Sequence, residues 1–288
     1  MEYLIHLAIL FVIYVPLAVS LNLVVGYAGL LSVTHAAFYG VGAYATALFM
    51  VDLGLGFIPA LLLGMFLSGL LATLFGLILS RFRDDYYALV SFGFNIIVYS
   101  ILLNWGGLTR GPLGIPGIPR PEIFGFIFDS NLSFLILALI LALVVYLVSA
   151  GIVKSSFGRV LRGIREDEEV LGVFGYNTKI FKLVIFSVAA MMAGLAGGLF
   201  ATYITFIDPS TFGLNESIFI LAMIILGGLA NIRGSVLGAL FLILLPEILR
   251  FVGFPTDTAA QMRQVVYGLF LVLLMLYRPQ GLVGEYKL

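Results

Sequence analysis

The chain has no cysteine, one tryptophan and two histidines in 288 residues. Without cysteine there is no disulfide, no iron–sulfur ligation and no thiol nucleophile. Two histidines, His6 and His35, are too few for a histidine-built metal site, and no metal is expected. Charge is equally scarce: 10% of residues are Asp, Glu, Lys or Arg, against about a quarter in soluble domains. The fifteen basic and fifteen acidic side chains cancel, so no global field directs the chain to nucleic acid. No G-x-x-x-x-G-K-[ST] occurs, which excludes ATP binding in the P-loop manner. No potassium-filter T-V-G-Y-G occurs either.

What is abundant is apolar. Hydrophobic residues make up 62% of the chain and the mean hydropathy is +1.16. Such a chain cannot cover itself with polar surface in water, and it reads as an integral membrane protein. Nine apolar runs are candidate spans: 3–25, 27–50, 57–79, 86–104, 132–152, 183–205, 217–230, 235–252 and 263–277. The second and seventh carry Gly, Asn and His and read as broken or re-entrant. The seventh and eighth could partly merge, so eight to ten crossings are expected. The first run lacks a basic leader and an A-x-A-like site and reads as a span, not a removed signal peptide. Continuously apolar runs such as LSFLILALILALVVYLV predict helices, since barrel strands alternate. The fold expected is an all-α polytopic membrane protein, one transmembrane domain over 1–288, with about 8–10 helices.

Short loops set orientation by their Lys and Arg. Placing 81–85, 154–182, 231–234 and the C-terminus together collects Arg81, Arg83, Lys154, Arg159, Arg162, Arg165, Lys179, Lys182, Arg233, Arg278 and Lys287. The other side holds Arg110, Arg120, Arg250 and Arg263. That bias predicts a cytoplasmic 154–182 loop, an outer N-terminus and a cytoplasmic C-terminus.

The 154–182 loop holds ten of the thirty charged side chains. Arg159, Arg162 and Arg165 recur every third residue, with Glu166 adjacent, on one face of a short helix. Val160, Leu161, Ile164 and Leu171 form its apolar side, and Gly158 and Gly172 stand where caps or turns are expected. The acidic run Glu166-Asp167-Glu168-Glu169 is not needed for positive-inside sorting. Two readings follow: a knob that enters a groove on a partner, or a solvated loop. The Gly/Pro-rich loop 105–131 cannot be a long helix, because Pro112, Pro116, Pro119 and Pro121 break it. It is an ordered outer cap or a simple connector.

Polar and small residues mark two span interiors. Residues 26–44 mix Gly26, Gly29, Gly40 and Gly42 with Ser32, Thr34 and His35. Residues 226–241 set Gly227, Gly228, Gly234 and Gly238 around Asn231 and Arg233. Two Gly-interrupted segments suggest a duplicated transporter with discontinuous helices. Asn22, Ser32, Thr34, His35, Asn95 and Asn231 are candidates for a translocation path. His35 either lines that path or makes an interhelical hydrogen bond. Ala190, Gly194 and Gly198, with Ala193, Gly197 and Ala201, form a small-residue face for close helix packing.

Several of these motifs together resemble branched-chain amino-acid ABC transporter permeases. They are NLVVGYAGLLS (22–32), HAAFYGVGAY (35–44), LTRGPLGI (108–115), GRVLRGIREDEE (158–169) with GYN (175–177), GGLANIRGSVLGA (227–239) and YRPQGLVG (277–284). The resemblance spans nearly the whole chain and is nearest the LivM-type subunit. Arg110 and Thr34 stand where the family often has glycine. The resemblance implies a type II-like importer permease in a bacterial or archaeal cell membrane, multi-pass, without an ATPase site or cofactor of its own. ATP and Mg²⁺ would be bound by two partner ABC ATPases, and a homologous LivH-type permease and a periplasmic or lipid-anchored substrate-binding protein would complete the system. It makes 154–182 a coupling loop, with Gly158, Arg159, Arg162, Arg165, Glu166, Asp167, Glu168 and Gly172 facing the ATPases. Urea and short-chain amide permeases share the motifs and are the alternative. An ion-coupled secondary transporter is a further alternative; it predicts acidic or His residues deep in the spans, and the middle of most spans is free of carboxylates. An enzyme would need a paired catalytic constellation, which the sequence lacks.

Overall fold

The computed structural model describes residues 2–82, 84–251, 268, 269, 272, 276 and 280–283. Most of the candidate span 263–277 and half of the 277–284 motif lie outside the described residues, as does Arg83.

The architecture is helical throughout the membrane-spanning region. Five helices are long and apolar enough to cross a bilayer: Glu2–Tyr27, Phe57–Leu79, Tyr86–Asn104, Asn131–Lys154 and Thr178–Ile204. Two apolar helices are shorter, His35–Val51 and Leu214–Gly227. In chain order we label α1 (Glu2–Asn22), α2 (His35–Val51), α3 (Phe57–Leu79), α4 (Asp84–Asn104), α5 (Asn131–Lys154), α6 (Ser156–Glu166), α7 (Glu168–Val173), α8 (Thr178–Ile204), α9 (Leu214–Gly227) and α10 (Ile232–Phe251). Helices α9 and α10 do not merge: the chain reverses between them at Gly228, whose φ is 113°, and Ala230, whose φ is 58°. The second candidate span begins at His35, not at residue 27. Helix α1 continues instead through a π-helical turn, Leu23–Tyr27, and residues 28–34 then run irregularly into α2.

The core sits where α8 crosses α2 and α3. At Gly42 an added Cβ would lie 2.3 Å from both Cα and O of Gly194, and at Gly197 2.1 Å from the carbonyl of Tyr39. Only glycine lets two backbones meet this closely. Gly194 faces Ser68 of α3, and Gly198 faces Leu61 and Thr46. A second close crossing joins α9 to α10, where Gly238 lies against the Met223 carbonyl and Gly234 against Gly227.

Side-chain contacts sort the loops into two ends. His6 bonds Tyr203 at 2.6 Å, Arg120 lies over the rings of Phe134 and Tyr203, and Arg110 approaches Asp52 at 3.8 Å. These contacts gather the N-terminal turn, the 105–131 loop and the end of α8 at one end. The opposite end gathers Phe82, Arg165 and Lys182 around one cavity, and Lys154, Arg162 and Arg233 around another. The 105–131 loop is ordered by pairing. Ile115–Pro116 pairs antiparallel with Phe206–Ile207, Glu122–Ile123 pairs with Phe126–Ile127, and Ile115 and Ile118 are buried.

The charged loop departs from its sequence reading. It is two helices, not one. Asp167 (φ −159°, ψ 102°) breaks the helix and caps the second, its Oδ1 accepting from Glu169 N and Val170 N at 3.0 Å each. Gly158 and Gly172 are not caps either. Gly158 lies inside α6, whose N-cap is Ser155, and Gly172 lies inside α7. The left-handed turn falls at Gly175, with φ 84°. The apolar side is as read, with Leu161 and Ile164 buried and Val160 and Leu171 packed against the core.

Candidate coupling site at the α1–α2 junction

The irregular junction between α1 and α2 needs partners for backbone groups that no helix satisfies. Polar side chains from three helices supply them. Val33 N donates to Ser91 Oγ at 3.1 Å, and Asn95 Nδ2 donates to the Val33 carbonyl at 2.8 Å and to Ser217 Oγ at 2.5 Å. Ser217 Oγ accepts in turn from Ala36 N at 3.0 Å. Ser20 of α1 meets His35 Nε2 at 2.9 Å, and Ser32 meets Thr34 at 2.8 Å. Ser32, Thr34, His35 and Asn95 are thus brought together around one segment, all buried.

Asn22 sits apart from that group and clamps α1 to the α9–α10 turn. Its Oδ1 accepts from Ala230 N at 3.0 Å, and its Nδ2 donates to Asn231 O at 3.0 Å and Ser235 Oγ at 2.6 Å. Gly26 makes this possible, because a Cβ there would lie 1.9 Å from Asn22 Oδ1 and 2.4 Å from Ala230 N. Asn231 caps α10, accepting from Arg233 N and Gly234 N, while its Nδ2 donates to Val283 O at 2.7 Å.

The satisfaction of polar groups fails locally. Among the described residues His35 Nδ1, Asn95 Oδ1, and the hydroxyls of Tyr39, Tyr44 and Thr46 are buried without a hydrogen-bond partner. An unpaired buried group costs roughly 1–3 kcal/mol. Among the described residues no cluster of three His, Cys, Asp or Glu could hold a metal.

The charged loop touches this junction directly. Arg165, its side chain only 13% exposed, donates from Nη1 to the carbonyl of Gly26 and pairs with Glu166 at 3.1 Å. Its stem lies on Gly29, whose φ is +71° and where a Cβ would come 2.7 Å from Arg165 Cγ. A cavity of about 460 Å³ opens beside this contact, bounded by Gly29, Phe82, Arg165 and Lys182. Glu168 is held inward by Lys182 at 2.7 Å and by Thr178 at 2.8 Å, fastening α7 to α8. Arg162 donates to the Val153 carbonyl at 3.0 Å, and Arg159 to Ser156 at 2.8 Å.

Glu166, Asp167 and Glu168 are therefore held by bonds within the chain. Beside the exposed Glu169, α7 and its turn present an apolar patch. Val173 is 87% and Phe174 74% exposed, with Val170, Tyr176 and Ile180 exposed beside them. The sequence reading passed over this patch. Its signal was a short apolar run, VFGY, inside the most charged stretch of the chain.

Comparison with known proteins agrees on one family. The family of branched-chain amino acid transport system permease components matches residues 3–275. The high-affinity branched-chain amino acid transport permease LivM of Escherichia coli is 33% identical over 97% of this chain and 69% of its own length. The probable LivM of Methanocaldococcus jannaschii is 25% identical over 96% of this chain and 91% of its own. LivH of Escherichia coli is 24% identical, covering 94% and 91%. No solved structure matches the chain.

Proposed function

The chain belongs to the branched-chain amino acid transport permease family, and from that premise we propose that it is the membrane-spanning subunit of an ATP-driven ABC importer for leucine, isoleucine and valine. In this reading a substrate-binding protein delivers the amino acid to the outer end. A LivH-type permease pairs with this chain, and two cytoplasmic ATPases supply the energy. The whole chain acts as one permease domain. The Lys/Arg bias makes the charged-loop end cytoplasmic, with the N-terminus outside and the C-terminus inside.

The observation that carries the reading is the bond from Arg165 to the Gly26 carbonyl. It connects the exposed α6–α7 loop to a discontinuous stretch of the bundle with no intervening element. A force on that loop reaches the junction through a packed side chain, and the loop moves with α8 through the Glu168–Lys182 pair. Rigid-body displacement of packed elements is an established way to transmit such changes.

The exposed patch on α7 is the proposed ATPase contact. An aromatic anchor at the centre of an interface is commonly worth about 2 kcal/mol or more. Phe174→Ala should therefore weaken association with the ATPase subunits by roughly 30-fold, read by titrating detergent-solubilised permease with purified ATPase. Phe174 lies outside the core, so membrane insertion and thermal stability should hold. Unchanged ATPase affinity would remove α7 as the contact.

The decisive test is uptake by proteoliposomes holding the chain with its partner permease, ATPases and binding protein. ATP-dependent leucine uptake, competed by isoleucine and valine and not by urea, is expected. Competition by urea would move the substrate to the urea and amide class. Uptake driven by an ion gradient without ATP would end the importer reading.

A further inference from the structure

The charged-loop end carries a second cavity that the coupling argument does not use. It measures about 560 Å³ and lies between α5, α6 and the α9–α10 turn. Lys154, Arg162 and Arg233 converge on it, and no acidic residue lines it. Among the described residues none of the three cations pairs with a carboxylate. Three exposed positive side chains around one cavity offer an anion a complementary site, in a chain whose other clustered cations, Arg165 and Lys182, each have an acidic partner.

A groove of about 500 Å³ adjoins this cavity, sharing Tyr146 and Arg233 with it. It runs between α1, α5 and α10 and is otherwise apolar, lined by Phe11, Val15, Leu139 and Val236. Leu139 and Leu143 on its rim are about half exposed, so the groove opens sideways from the bundle. From Leu139 to Lys154 is fifteen helical residues, about 22 Å at 1.5 Å per residue. Half of a bilayer, headgroups included, is about 20–22 Å thick. Groove and cavity together thus have the length of one leaflet, and the cationic mouth lies at headgroup level.

The geometry points to a binding site for an anionic phospholipid of the cytoplasmic leaflet, with the phosphate held by Lys154, Arg162 and Arg233 and an acyl chain along α5 in the groove. Basic pockets between transmembrane helices recognise lipid headgroups by the same combination of cations and an apolar wall. Charge sets the preference for an anionic headgroup, and the groove separates a lipid from a free phosphate.

The test is native mass spectrometry of the full chain, alone and with its partner subunits, delipidated and titrated with phosphatidylglycerol, phosphatidylethanolamine or inorganic phosphate. Phosphatidylglycerol should bind at least roughly tenfold better than phosphatidylethanolamine, and inorganic phosphate should not be retained. Lys154→Gln with Arg233→Gln should lower phosphatidylglycerol binding roughly 30-fold, to the level of phosphatidylethanolamine. Val236→Trp, which fills the groove and leaves the cations in place, should lower binding of both lipids. Equal binding of the two lipids, an unaffected double variant, retention of inorganic phosphate as strong as that of phosphatidylglycerol, or exclusion of all lipid by the second permease subunit would each overturn the assignment. Should the double variant fail to fold, the wild-type melting temperature decides: phosphatidylglycerol raising it no more than phosphatidylethanolamine also overturns it.

Discussion

Leucine in place of Gly42 leaves little folded protein in the membrane. The obstacle is backbone: a Cβ at this position falls 2.3 Å from the Cα and O of Gly194, and a helix backbone cannot rotate aside as a side chain can. The crossing has no slack on either side of that point, since Gly197 abuts the Tyr39 carbonyl and Gly194 abuts Ser68. Leucine would force α2 and α8 apart along their whole contact and open gaps around Tyr39 and Phe186, both fully buried. Overpacking a tight core commonly costs about 1–3 kcal/mol; here helix separation adds lost packing, and more than about 3 kcal/mol is expected. The measurement is the yield of monodisperse protein in detergent and its melting temperature. Gly93→Leu on α4 is the control, because an added Cβ there meets nothing within 4 Å. Wild-type yield and melting temperature for Gly42→Leu would show that the two helices do not cross at glycine.

That crossing illustrates what a linear reading can reach. Glycine and alanine repeating every four residues along 190–201 predict a close-packed face, because the period is local. The partner is not local: Gly42 lies about 150 residues away, and nothing in either segment names the other. The sorting of loops to two ends was also legible, since Lys and Arg obey a rule that acts on each loop alone. The acidic run was read less well. Adjacent in sequence, its members look like one charged surface, yet Asp167 caps a helix, Glu168 reaches Lys182 fourteen residues on, and Glu166 meets Arg165. Helix-breaking by an aspartate cap competes with helix propensity over a single turn, and composition does not decide between them. Asn22 shows the same limit, for all of its partners lie more than two hundred residues away.

Arg165→Met separates ATP hydrolysis from transport. Methionine keeps an unbranched apolar stem to lie on Gly29 and removes the guanidinium that donates to the Gly26 carbonyl. The α6–α7 loop retains its other anchors, Asp167 as cap and Glu168 on Lys182, so in the proposed importer the ATPases should still dock and still hydrolyse. What is lost is the direct contact between that loop and the junction. Coupling between sites is typically worth 1–3 kcal/mol, and with the Arg165–Gly26 bond from α6 to the junction gone, uptake per ATP should fall by roughly 100-fold. Arg165→Lys restores a cation of similar reach but not the planar fork that addresses the carbonyl and Glu166 together, and should recover part of the loss. A purely structural role for Arg165 predicts a different pattern, in which hydrolysis, uptake and melting temperature decline in proportion. Measured together in proteoliposomes, an unchanged ratio of uptake to hydrolysis in Arg165→Met would sink the latch. A ratio that collapses while hydrolysis and stability hold would place the transmission step at one side chain, where the loop meets the broken helix.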